Sequence, residues 1–445
     1  MVNIDLVKQS LEEKGIEFLL ASFVEMNGAS KAKLVPVTHI EDLINDGAGF
    51  AGYAAGEMGL GPHDADIAGM PDLDSLTVLP WRPNIAWLAG NIQVDGKSWG
   101  YCPRSILMRM RERAAEQGFV YKHGVEPEFF LVKRTEHGGI ELADPLDTLP
   151  KPCYDQRTLS RNLDFLTTII KYMQTLGWGP YANDHEDANC QFEINWEFDE
   201  CLTTADRHTF FKYMVRTKAE QDGLTATFMA KPFSHQTGNG AHFHMSLWDQ
   251  ETDTNLFYDA DDPSGLSKMA YHWIGGLKAH AKAYIAVTAP SVNSYKRLVT
   301  GAPQSGATWA PVYISYGGNN RTQMIRLPGP GRVEDRSIDG SCNPYLAAAV
   351  TLAAGLDGIN RELEPGDPNF ANMYEMPMET IRERGIERLP ATLNDALNEL
   401  EKDDVVLDAL GQEYAGAYIR AKREEWNDYH NSVSQWEVDH YLNIH

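Results

Sequence analysis

Four short segments alternate apolar residues with groups able to bind cations or anions. In GVEPEFFLV, Val125, Pro127, Phe129 and Leu131 fall on one side of an extended chain, which leaves Glu126 and Glu128 together on the other. NCQFEIN sets Phe192 and Ile194 against Gln191, Glu193 and Asn195, and AHFHMSL sets Phe243, Met245 and Leu247 against His242, His244 and Ser246. GRVEDR groups Arg332, Glu334 and Arg336. Carboxylates crowded on one strand face repel unless a cation lies between them. Joined by one or two imidazoles, they suit Mg²⁺ or Mn²⁺ better than a thiolate-type zinc site. Two divalent ions beside several arginines can clamp a nucleoside triphosphate during phosphoryl transfer. An ExE pair alone is ordinarily a solvated sheet face, and HxH also serves zinc amidohydrolases, so the conjunction carries the reading.

These segments must be held by strands, and the rest of the chain supplies their supports. The first hundred residues mix short strands with one amphipathic helix closed by Gly15 and a glycine-rich stretch from Gly47 to Gly61, a small α+β unit. A second helix starts near Pro103 and Arg104 and stops at Gly118, and the domain boundary is placed before it, giving 1–103 and 104–445. Strands and helices then alternate until a helical tail opens at Asn343 and Pro344, an N-cap and N1 pair. GNIQVDGKS, from Gly90 to Ser98, looks like a phosphate loop but has one residue too many between its glycines, and reads as a hairpin turn.

Composition narrows the classes. Thirty-nine basic against 63 acidic residues leave a net charge of −24, which argues against nucleic-acid binding. The five cysteines form no CxxC pair, as expected of reduced thiols in a cytoplasmic protein. The N-terminus lacks the features of a signal peptide. YLAAAVTLAAGL, from Tyr345 to Leu356, is too short to cross a bilayer, so no membrane partner is expected.

Taken in order, GVEPEFFL, DHEDANCQFEIN, NGAHFHMS, NSYKRLV, NNRTQMIRLP and RVEDRSIDGSCNPYL resemble the motif series of the type I glutamine synthetase superfamily, from about Ile16 onward. The resemblance implies an α+β chain: an N-terminal β-grasp domain, then a catalytic domain with a curved antiparallel sheet and flanking helices. It also implies a homododecamer of two hexameric rings with sites between neighbours. By the same resemblance Glu128, Glu186 and Glu193 would hold one metal, and Glu126, His242 and Glu334 another. Arg297 and Arg336 would hold the carboxylates of L-glutamate, aided by backbone at Gly238 and Gly240 and by His242. Arg321, Arg326 and Arg332 would meet the phosphates of ATP, with His244 and Ser246 toward the nucleotide. The implied chemistry is ATP-dependent ligation through γ-glutamyl phosphate, with Arg297 and Arg321 neutralising charge.

The acceptor amine follows from departures. Glutamine synthetases carry a flap Glu soon after NSYKRLVPG and an Asp in an FDGSS-like segment of the neighbouring subunit. Here Pro303 and Ala51 stand approximately at those places. From Leu298 to Asn320 no charged side chain occurs, where the chain's 23% charged composition would give roughly five. Ammonium needs acceptors all round, whereas an alkylammonium carries an apolar group that prefers a dry, uncharged wall. Phe50, Tyr53, Tyr154 or Trp309 could supply that wall, Tyr154 aligning loosely with a tyrosine near the amine. Longer runs, KPCYDQRTLSR, HEDANCQFEINW, SGATWAP and EVDHYL among them, most resemble the superfamily's glutamate–methylamine ligases. The expectation is therefore methylamine as acceptor, leaking toward ethylamine or ammonia, with Glu186 taking the amine's proton. A ligase for ammonia, or for ethylamine or a polyamine, is the alternative.

Overall fold

The computed structural model describes residues 3–56, 60–300 and 305–444. Strands β1 (Phe18–Val24), β2 (Ser30–Pro36), β3 (Ala48–Phe50), β4 (Ile67–Pro71), β5 (Thr77–Leu79), β6 (Arg82–Val94) and β7 (Lys97–Ser98) form one sheet. Its order is β2-β1-β6-β4-β3, with β5 and β7 also on β6. β1 runs parallel to β6 and antiparallel to β2. Helices α1 (Ile4–Glu13) and α2 (Ile40–Asp46) bury Leu11, Ile40 and Leu43 against Leu19, Ala21 and Leu88 of the sheet. This is the arrangement of a β-grasp. The phosphate-loop lookalike is a two-residue hairpin: Val94 pairs with Lys97, and Asp95 and Gly96 take φ of 49° and 71°, as a type I′ turn requires.

The second sheet holds the four patterned segments. β8 (Phe119–Arg134) is its spine, in the order β10 (Pro180–His185), β11 (Gln191–Trp196), β8, β14 (Ala241–Asp249), β16 (Arg332–Asp335), β15 (Ile325–Gly329). Short strands β9 (Ile140–Leu142), β12 (Asp199–Glu200) and β13 (Thr225–Thr227) also pair with β8. The pairings are antiparallel. Val125, Phe129, Leu131, Phe192, Ile194, Phe243, Met245 and Leu247 are each at most 3% exposed, so the apolar half of every period faces the core. Helices α3 (Pro103–Ala115), α4 (Gln156–Arg161), α5 (Leu163–Thr175), α6 (Cys201–Gln221), α7 (Lys268–Thr288) and α8 (Pro344–Asn360) enclose that core, with α3 and α6 directly against β8.

Two helix starts follow their sequence signals, although α3 ends at Ala115, three residues before the expected stop at Gly118. α3 begins at Pro103, and Gly118 takes φ 79° just past its end. α8 begins at Pro344 with the Asn343 side chain accepting from the backbone N–H groups of Tyr345 and Leu346, and it is apolar all round because it is buried all round. Asn343 also donates to the Glu25 carbonyl at 3.0 Å, which ties α8 to the first sheet. A stronger tie is Arg104, whose guanidinium reaches Asp72 at 2.7 Å, Asp206 at 2.9 Å and Asn91 at 3.1 Å. Among the described residues no helix is long and apolar enough to cross a membrane, and the five cysteines are free.

Candidate active site

Backbone register builds the site. Pairing across the second sheet sets Glu126 opposite His242, Glu128 opposite Glu193, and Glu334 opposite both His244 and Arg326. Directly opposed residues share a face, so groups more than a hundred positions apart in sequence converge there. His242 Nδ1 lies 3.7 Å from both Glu126 and Glu334, and His244 Nε2 lies 3.1 Å from Glu126. Arg326 and Arg336 grip Glu334 at 2.7 and 2.5 Å. The face opens into a cavity of about 580 Å³ whose lining includes Glu126, Glu128, Glu186, Glu193, His242 and His244. Tyr154, Gly238, Arg297, Arg321, Arg326, Arg332 and Arg336 also line it.

Charge divides across the sheet. On the β10–β11 side, oxygens of Asp184, Glu186 and Glu193 lie within 4.8 Å of one another. Burial, then neighbouring carboxylates, push Glu186 and Glu193 well above the usual carboxylate range, and Glu128 is also raised by burial. Toward β14 and β16 burial acts the same way, but neighbouring imidazoles and guanidinium groups outweigh it. His244 and His242 hold Glu126 well below its ordinary value, and Arg336, the two imidazoles and Arg326 hold Glu334 down to about 2. Burial, then Arg336, lowers His242 to about 4, so its imidazole is neutral and able to ligate. Crowded buried carboxylates need a proton or a cation among them, and Asn195 Oδ1 beside them is buried without a hydrogen-bond partner among the described residues. An all-oxygen donor set with that deficit fits a hard divalent cation.

Residue by residue, the placement differs from the expected ligand sets in two respects. Asp184 joins Glu186 and Glu193, whereas Glu128 Oε2 already accepts from Gln191 Nε2 at 2.9 Å and Gly240 N–H at 2.8 Å. His244, expected toward the nucleotide, also groups with Glu126 and Glu334. Ser246 and Gly240 do not line the cavity: Ser246 Oγ accepts from Trp248 Nε1, and Gly240 is packed beneath His242 and Arg297. Arg297 is buried, its guanidinium fixed by the carbonyls of Ser337 and Arg336 at 3.1 Å each.

Of the residues expected to wall the amine, Tyr154 and Trp309 line the cavity, both with positive φ, 64° and 53°. Phe50, Ala51 and Tyr53 of the same chain do not line it. Pro303 lies outside the described residues. Sequence reasoning missed Asp184, Asp187, Cys153, Thr237 and Thr308, which line the cavity too. A signal existed for one of them: Asp184 precedes Glu186 by two in DHED and so shares its strand face.

The description "Glutamine synthetase, catalytic domain" matches residues 100–441. A glutamate–methylamine ligase of Methyloversatilis universalis is 46% identical over 98% of this chain and 98% of its own length. A glutamine synthetase of Rhizobium meliloti is 44% identical over 97% and 98%. A solved structure described as a GmaS/ADP complex superposes with a TM-score of 0.92 at 49% identity, covering 98% of this chain and 99% of its own. With six motifs placed around one cavity and relatives of this extent, the chain belongs to the glutamine synthetase family of ligases.

Proposed function

We propose that the chain is an ATP-dependent, ADP-forming ligase that joins methylamine to the γ-carboxylate of L-glutamate, through γ-glutamyl phosphate, giving γ-N-methylglutamine. The observation that carries the acceptor is the loss of acid at both expected ammonium positions, Ala51 and Pro303, within an otherwise complete family motif set. The name of the 46% identical relative supports the same choice. Glu186 and Glu193, joined by Asp184 and with Glu128 opposite Glu193, would hold one divalent ion, Mg²⁺ or Mn²⁺, and Glu126, His242 and Glu334 another, the imidazole lying 3.7 Å from both carboxylates. When bound, such ions supply neutralisation of phosphoryl charge.

The chain's own residues account for the remaining work. Arg297 and Arg336, with backbone at Gly238, orient glutamate so that its γ-carboxylate oxygen attacks the γ-phosphorus of ATP. Arg321, Arg326 and Arg332, which line the same cavity as His244, spread the developing negative charge. Glu186, in the cavity beside Tyr154, accepts the proton that methylammonium must lose before its nitrogen displaces phosphate from the acyl carbon. Tyr154 and Trp309 offer the methyl group an uncharged wall. One methyl is worth about 1–3 kcal/mol of discrimination, so ethylamine and ammonia are accepted poorly rather than excluded.

The test is phosphate release from ATP with glutamate and, in turn, methylamine, ammonia, ethylamine and a polyamine. Methylamine should give the highest kcat/KM; parity with ammonia would favour a glutamine synthetase with an altered ammonium site, and no turnover with any amine would refute the ligase. Glu186→Gln should abolish amide formation, and an unchanged rate would remove it from proton transfer. The same reading divides the chain at 103/104 and places it in the cytoplasm as a dodecamer in which Ala51, Phe50 and Tyr53 face a neighbour's cavity. Light scattering on the purified protein reads the stoichiometry.

A further inference from the structure

One carboxylate at the amine end is engaged in a way that none of these roles uses. Asp187, 8% exposed, follows Glu186 in the connection between β10 and β11. Its Oδ2 accepts from Thr237 Oγ1 at 2.7 Å and from Ser305 Oγ, which is itself 7% exposed. Thr237 precedes Gly238, whose carbonyl is held by Gln191 Nε2 at 3.1 Å. Ser305 belongs to the uncharged stretch, and four residues later the Trp309 carbonyl accepts from Arg336 Nη2 at 3.2 Å. The segment from Ser305 to Trp309 is thus fastened at both ends, to a carboxylate at one and a guanidinium at the other. Thr308 and Trp309 line the cavity between.

We propose that Asp187 is a positioning residue that also sets the amine preference: two hydroxyls use it to hold the uncharged stretch against the cavity, and in doing so they occupy the oxygen that would otherwise receive an N–H of ammonium. The inference rests on the ligase reading and deepens it. Ammonium presents four N–H groups and gains from any open carboxylate oxygen, whereas methylammonium presents three and a methyl that gains nothing there. A buried carboxylate with hydroxyl donors in place is satisfied; stripped of one, it becomes an acceptor facing the site. The acids expected from the resemblance are lost at Ala51 and Pro303, and Asp187 is an acid of this chain whose Oδ2 is occupied by two hydroxyl donors.

The experiment compares wild type, Ser305→Ala, Ser305→Thr and Asp187→Ala, measuring kcat/KM for methylamine and for ammonia and the amide formed per phosphate released. Ser305→Ala should lower the methylamine-to-ammonia ratio about tenfold or more, as one charge-assisted hydrogen bond is worth. It should also uncouple the reaction: a water oxygen bonds to the acyl carbon of γ-glutamyl phosphate and gives up a proton, the bond from that carbon to the bridging oxygen breaks, phosphate leaves with that oxygen, and glutamate is regenerated without amide. Ser305→Thr, which keeps the hydroxyl, should restore both readouts. Asp187→Ala should uncouple without favouring ammonia, because no carboxylate is left behind. Unchanged ratio and coupling in Ser305→Ala would overturn the inference while leaving the ligase intact. A wild type that turns over no ATP would refute the ligase reading beneath it.

Discussion

Gly240 is where the proposed glutamate site at Arg297 can be disturbed through a single added carbon. Its backbone brackets Glu128, donating to Oε2 at 2.8 Å and accepting from the Glu128 N–H at 3.0 Å. A Cβ placed there would stand 2.5 Å from His242 Nε2 and 3.0 Å from Arg297 Nη2. Non-bonded heavy atoms prefer about 3.5–4.0 Å, so the imidazole would have to move by about 1 Å. Neither neighbour is free to swing: His242 is flanked by Glu126 and Glu334, and Arg297 by two carbonyls. The glycine is not in the left-handed region, so the backbone adds no strain and the effect is steric. Overpacking of a dense site costs about 1–3 kcal/mol. If it falls on the guanidinium that orients glutamate, Gly240→Ala raises the KM for glutamate by about five- to a hundredfold, since each 1.4 kcal/mol is tenfold. The KM for ATP should rise as well to the extent that His242 is displaced. Phosphate release with glutamate varied at saturating ATP and amine reads both, and Gly329→Ala, whose Cβ would meet nothing within 4 Å, is the control. A glutamate KM within about twofold of wild type would refute the placement of glutamate at Arg297.

Two further measurements probe charge. His280 has Nδ1 2.7 Å from Asp403 and Nε2 2.9 Å from Asp357, so only the imidazolium donates to both; burial opposes that charge, but the carboxylates outweigh it and raise the pKa. Its contribution is full below the unfolded value of about 6.5 and is lost as pH rises through the higher folded value, so His280→Gln should flatten the decline of Tm above about pH 6.5, and parallel profiles would contradict this. Mg²⁺ should raise Tm as it relieves Asp184, Glu186 and Glu193, by an amount equivalent to about 2.7 kcal/mol at a hundred times its Kd, and a Tm indifferent to millimolar Mg²⁺ would count against the metal site.

Much of the catalytic face was legible because a strand writes its two faces in alternate letters. Val125, Phe129 and Leu131 went inward as the period demanded, and that left Glu126 and Glu128 only one direction to point. Caps and turns were equally local: Asn343 before Pro344, and Asp95 with Gly96 between paired strands, act within a few residues of themselves. What the sequence hid was partnership. Nothing in DHEDANC says that Asp187 will take a hydroxyl from Ser305, more than a hundred residues away, and nothing around Arg104 announces Asp72 and Asp206. Pairing across distance is decided by how loops and helices settle on the sheet, which no local period encodes. Asp184 lies between the two cases, since its strand face could be read while its grouping with Glu193 needed the register of β10 on β11.

The same division fits a family in which relatives 44% and 46% identical carry the names glutamine synthetase and glutamate–methylamine ligase. The equipment for phosphoryl transfer sits on adjacent paired strands, where shifting one residue turns its side chain away from the site and disturbs the core behind it. The amine end is built from connections instead: Tyr154 after a turn, Asp187 between two strands, and Ser305 to Trp309 in an irregular stretch. Connections change at little cost to the fold, so the acceptor can be exchanged while the phosphoryl chemistry is kept. Identity summed over more than four hundred positions hardly registers such an exchange. A few uncharged residues along the cavity wall, and one aspartate whose oxygen is already occupied, decide which amine is received.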